Sequence, residues 1–229
     1  MTQRLDRLLS LADPVEAMAD IGTDHGFVSY AYLKKNLAQY VYAIDISEPS
    51  LEKAKKTLWP FTGHYACLLG DGLKPLKKGQ VQALVIAGMG GRSIANILDE
   101  GEDLAKDVDY LLIQAMQGEE VLLRYLREEG YGLLAEALAF ERGKYYRILK
   151  ITGKNKGEEI SLEEPRLLLE SGDPLLKDYL HHHLERLEEV KENLQKAKTL
   201  SPRSREWLEV TRKENQIRSW LHDYCGENL

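Results

Sequence analysis

The chain predicts an α/β protein with a doubly wound, mostly parallel β-sheet and an antiparallel edge, followed by an α-helical coiled-coil hairpin. Three observations carry this expectation. Over the first 152 residues short apolar strand patterns alternate with helical ones. Two early strands end in an aspartate, Asp20 and Asp45, and the first runs into a loop with glycines four apart, Gly22 and Gly26. Beyond Gly153-Lys-Asn-Lys-Gly157 the strand signal stops, and apolar residues recur at alternating spacings of four and three. The expected domains are 1–152 and 158–229.

The elements follow in order. Arg4 to Ala12 reads as a helix with Leu5, Leu8, Leu9 and Ala12 on one face, and Ala17 to Ile21 as the first strand. Gly26 to Leu37 reads as a helix and Tyr40 to Ile44 as the second strand. Ser47 suits the cap of a helix over Pro49 to Leu58, because its hydroxyl accepts from the free amides of a first turn. Tyr65 to Leu69 is a short third strand. Val81 to Ala87 is nearly continuous apolar, as a strand covered on both faces must be, and it runs straight into Gly88-Met89-Gly90-Gly91, for which a tight strand-to-helix turn is one of two readings, before a helix from Ile94 to Leu98. Tyr110 to Ala115 is a fifth buried strand, and Glu119 to Glu129 a helix stopped by Gly130. Leu133 to Phe140 and Tyr145 to Ile151, separated by Glu-Arg-Gly-Lys, form a hairpin. Pro165 and Pro174 suit helix starts. One seam then runs through Leu176, Leu180, His183, Leu187, Val190, Leu194 and Ala197. After a break at Ser201-Pro202 a second runs through Trp207, Val210, Glu214, Ile217, Leu221 and Tyr224, so two antiparallel helices cover each other.

Composition narrows the function. With 229 residues and 43% apolar content the chain buries a full core, and it carries no secretory pattern and no bilayer-length apolar run, so a soluble cytoplasmic protein is expected. Cys67 and Cys225 lie far apart in no metal-ligand spacing and read as ordinary thiols. Consecutive His181, His182 and His183 on a helix point in three directions, so no metal site is expected. A net charge of −6 argues against indiscriminate nucleic-acid binding, yet seven basic residues (Lys196, Lys198, Arg203, Arg205, Arg212, Lys213 and Arg218) stand against three acids between 196 and 218, around Trp207. The cluster reads either as a phosphate-contacting surface or as a solvated helical face. The sequence sets no oligomeric state; a monomer is expected.

The loop Ala19-Asp-Ile-Gly-Thr-Asp-His-Gly26 carries the chemistry. Asp45, nineteen residues after Gly26, stands where a carboxylate accepts from both hydroxyls of an adenosine ribose. The glycine spacing is not the Gly-x-Gly-x-x-Gly of a dinucleotide site, and no phosphate-gripping lysine follows. Such a loop better fits a zwitterionic amino-acid tail, and S-adenosylmethionine is the cofactor expected. Asp20 and Asp24 are candidates for its ammonium, with Gly22, Thr23, His25 and Gly26 supplying the surrounding loop, Asp45 and Ile46 the ribose and its surroundings, and Asp71 and Gly72 the adenine. Ala87 and Gly88 complete the cofactor set. Met89, Gly90 and Gly91 are the candidate base pocket, where missing side chains admit a flat ring.

These strings, with Gly70-Asp-Gly-Leu73 and especially Val85-Ile-Ala-Gly-Met-Gly-Gly91, resemble the bacterial tRNA (adenine-22-N1)-methyltransferase family over essentially the whole chain. The resemblance implies a Rossmann-type class I methyltransferase core, a coiled-coil hairpin, and methyl transfer from S-adenosylmethionine to adenine N1 in the D-arm region of tRNA. The family usually has Gln-Pro-Asn after the fifth strand, whereas this chain has Gln114-Ala115-Met116. Asp24, His25 and Gln114 are the candidate catalytic residues, with Asp24 or His25 stabilising the cationic product or taking a late proton. His25 reads equally as a packing residue. The basic residues Lys196, Lys198, Arg203, Arg205, Arg212 and Lys213 are the candidate tRNA contacts. Two alternatives stay open, a methyltransferase with another substrate and a tRNA-binding protein without catalysis.

Overall fold

The computed structural model describes residues 2–154, 156–162, 165–196 and 204–227, with backbone alone at 196. The chain divides into two compact units, Met1–Pro165 and Arg166–Leu229.

The first unit is an eight-stranded sheet in the order β3-β2-β1-β4-β5-β7-β6-β8. Its strands are β1 (Val15–Ile21), β2 (Ala38–Asp45), β3 (Tyr65–Leu69), β4 (Ala83–Gly90), β5 (Tyr110–Gln117), β6 (Gly132–Glu141), β7 (Lys144–Thr152) and β8 (Glu158–Glu159). The first five pair in parallel. The helices are α1 (Gln3–Ser10), α2 (Phe27–Lys34), α3 (Glu48–Leu58), α4 (Gly91–Glu100), the single-turn α5 (Glu102–Ala105) and α6 (Glu119–Glu128). Burial explains the order. Leu84, Val85 and Ile86 of β4 and Leu111, Leu112 and Ile113 of β5 are fully enclosed, as central parallel strands require. Leu8, Leu9, Tyr32, Val41 and Leu58 fill the core on the side of the amino-terminal helix.

Several elements differ from expectation. The helix after Gly26 ends at Lys34 rather than Leu37, because Asn36 adopts φ 55° and the Leu37 amide bonds back to the Tyr32 carbonyl, a left-handed helix stop that frees Ala38 to begin β2. The segment 88–90 is not a turn. It stays in β4 as an irregularity in which Ala87 faces Gln114, Met89 faces Ala115 and Gly90 faces Gln117. Such a bulge bends the strand and re-aims the next side chain. Past Gly157 the strand signal does not vanish, since β8 adds antiparallel to β6 at Gly132 and Leu133. Ser47 caps α3 as expected, accepting from the Ser50 amide at 3.4 Å.

The second unit holds α7 (Arg166–Glu170), α8 (Leu176–Lys196) and α9 (Arg205–Cys225). Lys177 to Glu227, Glu188 to Arg218 and Lys191 to Glu214 pair in descending order, so α8 and α9 run antiparallel. The seam departs from the strict heptad. Leu176, Leu180 and Leu184 are buried, His183 is half-buried against Tyr179, and Val190 is 44% exposed while its neighbour Lys191 meets Glu214. Leu187 and Leu194 stay half-buried on the expected seam, so the departure is confined to the layers at 183–184 and 190–191. On α9, Glu214, Ile217 and Leu221 are buried, but Tyr224 is exposed. Ala197 and Ser201-Pro202 lie outside the described residues.

Candidate functional site

A crevice of about 1140 Å³ opens at the carboxyl ends of β1, β2, β3 and β4. Gly22, Asp45, Ile46, Asp71, Gly72, Ala87, Gly88, Met89 and Gly90 of the expected residues line it. Open parallel sheets take ligands at this edge, where helix amino ends and strand carboxyl ends converge on a topological switch. Here β1 is flanked by β2 on one side and β4 on the other.

The first loop is built on hydrogen bonds inward. The Gly22 and Thr23 amides both donate to the Ile44 carbonyl, at 2.8 and 3.0 Å, which locks the loop to β2. Gly22 has φ 71°, and a Cβ there would lie 2.1 Å from the Met89 methyl, so the absence of a side chain lets the end of β4 close against the loop. Asp24 also sits at positive φ, 43°, and is held there by its amide donating to Asp45 Oδ2 at 3.0 Å. Asp45 Oδ1 accepts from the Ser47 amide at 2.9 Å. Each carboxylate oxygen thus takes one amide and keeps a lone pair for a further donor.

Asp20 differs from its expected role. It is 3% exposed, and its Oδ2 accepts from the Thr23 hydroxyl at 2.7 Å, the Ser29 hydroxyl at 2.8 Å and the Ser29 amide at 3.3 Å. Burial raises its pKa above the ordinary carboxylate value, against the lowering effect of these donors. Asp20 therefore braces the loop to α2 and stands behind the ligand surface. Thr23 is buried in the same brace, and Gly26, also buried, caps α2 with its amide on the Thr23 carbonyl.

Asp24 and His25 lie outside the crevice lining. The Asp24 carboxylate faces Ser50 and Lys53, both at 3.4 Å, and His25 Nε2 at 3.6 Å. The His25 ring stacks on Phe27, with centroids 5.3 Å apart. Asp71 is exposed and pairs with Lys74 at 2.7 Å, and Lys74 also reaches Glu100 at 2.7 Å. These two carboxylates hold the Lys74 pKa above its ordinary value, in the order Asp71 then Glu100.

Gln114 is fully buried and saturated, which removes it from direct contact with a substrate. Its Oε1 accepts from Arg4 Nη1 at 2.7 Å and from the Gly88 amide at 3.2 Å, while its Nε2 donates to the Ala115 carbonyl at 2.6 Å. It ties the bulge of β4 to the end of β5. Gly91 likewise is structural. It is buried, and a Cβ there would come 2.1 Å from the Gly118 carbonyl oxygen. Arg4 was not foreseen. From α1 it reaches Gln114, lies 3.1 Å from Met116 Sδ, pairs with Glu141 at 3.2 Å and sits 5.8 Å over Tyr146. No local pattern marks such a residue, because every partner is more than a hundred positions away.

Of the expected tRNA contacts, Arg205, Arg212 and Lys213 are exposed on α9, with Lys213 3.5 Å from Glu209. Arg218 is engaged by Glu188 at 2.9 Å and Glu214 at 3.1 Å. The Lys196 side chain, Lys198 and Arg203 lie outside the described residues. His181 pairs with Glu227 at 2.9 Å, and among the described residues no cluster of three metal-ligating groups occurs and no helix is long and apolar enough to cross a membrane.

Comparison with known proteins adds the family. Residues 1–149 match a family model described as a methyltransferase domain. A Bacillus subtilis tRNA (adenine(22)-N(1))-methyltransferase is 31% identical over 151 residues, covering 65% of this chain and 63% of that protein, so the match spans under two thirds of this relative. A Mycoplasma pneumoniae protein named "Putative tRNA methyltransferase" is 30% identical over 162 residues, or 70% of this chain and 74% of that one. Among solved structures, Mycoplasma capricolum TrmK in complex with the cofactor product S-adenosyl-homocysteine superposes with a TM-score of 0.77 at 22% identity, covering 98% of this chain and 99% of that one. That likeness shows a shared fold, the Rossmann-like α/β sheet of class I methyltransferases. With a model matched over most of its length and a relative matched over most of that protein's, this chain belongs to the methyltransferase-domain family.

Proposed function

We propose that the chain transfers a methyl group from S-adenosylmethionine to N1 of an adenine in tRNA. In this reading residues 1–152 bind the donor, 158–229 form a coiled-coil hairpin that helps hold the tRNA, and the protein works as a cytoplasmic monomer. The observation that carries the reading is Asp45 at the end of β2, lining a crevice beside a loop whose main chain is bare at Gly22. The names of the B. subtilis and M. pneumoniae relatives support the tRNA substrate, and the M. capricolum complex supports the cofactor.

The residues present fit the donor. Asp45 has lone pairs for ribose hydroxyls, and Ile46, 73% exposed just past β2 and lining the crevice, offers apolar cover to a purine. Bound there, S-adenosylmethionine supplies an electrophilic methyl with a good leaving group. Neutral adenine already has its N1 lone pair, so the protein's task is to place the base and exclude water. Gly88 and Gly90 leave room for the ring, Met89 gives it an apolar wall, and Gln114 holds the Gly88 bulge in shape. His25, in the loop between β1 and α2 with its ring stacked on Phe27, is the candidate late proton acceptor. Adenine inside folded tRNA must be turned out of its stack, at a cost of a few kcal/mol that contacts elsewhere offset.

Calorimetry with S-adenosylmethionine and mass mapping of unmodified tRNA after incubation test the reading together. Asp45→Ala removes charge-assisted hydrogen bonds of about 1.5–3 kcal/mol each, so donor affinity falls about 100-fold or more while melting stays cooperative. Wild-type protein that binds the donor yet leaves tRNA unmethylated points to another substrate. One that binds tRNA and ignores the donor is not an enzyme of this kind.

A further inference from the structure

The carboxyl edge of the sheet is electrostatically divided. On the crevice side Asp71, Asp99, Glu100, Glu102 and Asp103 outnumber Lys74 and Lys78 in the lining, and Lys74 is paired with Asp71 and Glu100. Beyond the ends of β5 and β7 the β6–β7 turn carries two exposed cations, Arg142 and Lys144. Two carboxylates there are neutralised, Glu141 by Arg4 at 3.2 Å and Glu119 by Arg147 at 2.8 Å.

Register places the hairpin tip. Leu112 faces Lys150 and Ile113 faces Leu149, and continuing that pairing brings Gln117 level with Tyr145. The turn at 142 and 143 therefore projects beyond the end of β5, on the edge that holds Gly88 and Met89. Arg4 anchors it there, since the same guanidinium meets Glu141, Tyr146 and Gln114. The turn has φ 53° at Arg142 and φ 76° at Gly143, a two-residue connection with both central residues left-handed. Such turns favour Asn-Gly or Asp-Gly, and an arginine in the first position is a worse turn residue. Beneath it the Phe140 and Tyr145 rings pack 4.6 Å apart, and Phe140 is 37% exposed. Backbone strain kept at an exposed cation, beside an aromatic pair and away from the acidic crevice, suits contact with a polyanion rather than the needs of the turn.

We propose that Arg142 and Lys144 form a docking surface for the phosphate backbone of the RNA whose base enters beside Gly88 and Met89. This rests on the tRNA reading above and adds to it a contact surface within the first unit. Phosphate contacts set orientation, so the tip fixes how the strand crosses the acceptor edge.

Anisotropy of a labelled, unmodified tRNA transcript, titrated with the full chain between about 50 and 200 mM salt, tests it. Arg142→Gly combined with Lys144→Ala weakens binding about tenfold and makes the slope of log K against log salt shallower by about 2. Arg142→Gly alone weakens binding while leaving the melting temperature equal or higher, because glycine takes the left-handed turn freely. Wild-type affinity and slope in the double variant overturn the docking surface and leave the tRNA reading standing. So does weaker binding with an unchanged salt slope. A wild-type protein with no affinity for tRNA overturns both.

Discussion

Asp20 at the end of β1 and Glu214 in the middle of α9 are both carboxylates removed from water, 3% and 9% exposed, one in each compact unit. Asp20 has only neutral donors, the Thr23 and Ser29 hydroxyls and the Ser29 amide, and desolvation outweighs them, with the Asp45 charge adding to the rise in pKa. Glu214 meets Lys191 and, at 3.1 Å, Arg218. The Lys191 hydrogen bond is the largest of the causes that hold its pKa below the ordinary value, against a smaller opposing effect of burial. The difference separates two uses of a buried acid. Neutral donors converging on one oxygen fix the shape of a loop, which a ligand surface needs. Cations fix which turn of one helix lies against which turn of another, since Lys191 finds Glu214 in only one register and also lies 5.3 Å over Trp207.

The largest expected effect breaks the first arrangement. Asp20→Ala leaves the Thr23 and Ser29 donors buried without their acceptor, at 7% and 0% exposure, and costs about 2–4 kcal/mol in denaturant unfolding. A loss below about 1 kcal/mol would show that the loop is not braced through this carboxylate. A smaller effect sharpens the second arrangement. The side chains of Lys191 and Arg218 are 25% and 36% exposed, so water screens the pairing, and Glu214→Leu costs about 1–2 kcal/mol by stranding Lys191. Lys191→Met in the same molecule returns stability to within about 0.5 kcal/mol of wild type, because two apolar residues on the seam replace the pair. A double variant no more stable than Glu214→Leu would show that the ion pair itself stabilises.

The same contrast explains what was legible in the sequence. The central strands β1, β4 and β5 were visible because enclosed strands must be apolar, and the β6–β7 hairpin because its turn needs residues such as Gly143. Asp45 and Asp71 were visible because strand ends in parallel sheets are where ligand-binding carboxylates stand. The chain alone did not show that Asp20 would turn inward while Asp45 lines the crevice, since both close similar apolar runs. The distinction rests on Ser29, in the first turn of α2, and on Thr23, whose hydroxyls both donate to Asp20. Gln114 misled for the same reason, as its saturation depends on Arg4, 110 residues away. On α8 the heptad pattern pointed to Val190, and the Lys191 to Glu214 pair put the contact one position further on. The two-residue β8 has no apolar alternation of its own to reveal it.

The smallest effect is a pair of opposite pH slopes. Asp20 has a folded pKa above its ordinary value of 3.8, so between the two the folded state keeps a proton the unfolded chain has released. Stability from this group therefore declines as pH rises from about 3.8 through the folded value, then stays level. Glu214 has a folded pKa below its ordinary value of 4.5, so its contribution is complete above 4.5 and is lost as pH falls through the folded value. The unfolding free energy of wild type minus Asp20→Asn should fall as pH is raised across the carboxylate range, while wild type minus Glu214→Gln should rise there and then flatten. Each difference cancels the other carboxylates, which titrate alike in the two proteins being compared. Slopes of the same sign would mean that the donors around Asp20 overcome its burial, and the distinction between a shape-holding acid and a register-holding one would fail at Asp20.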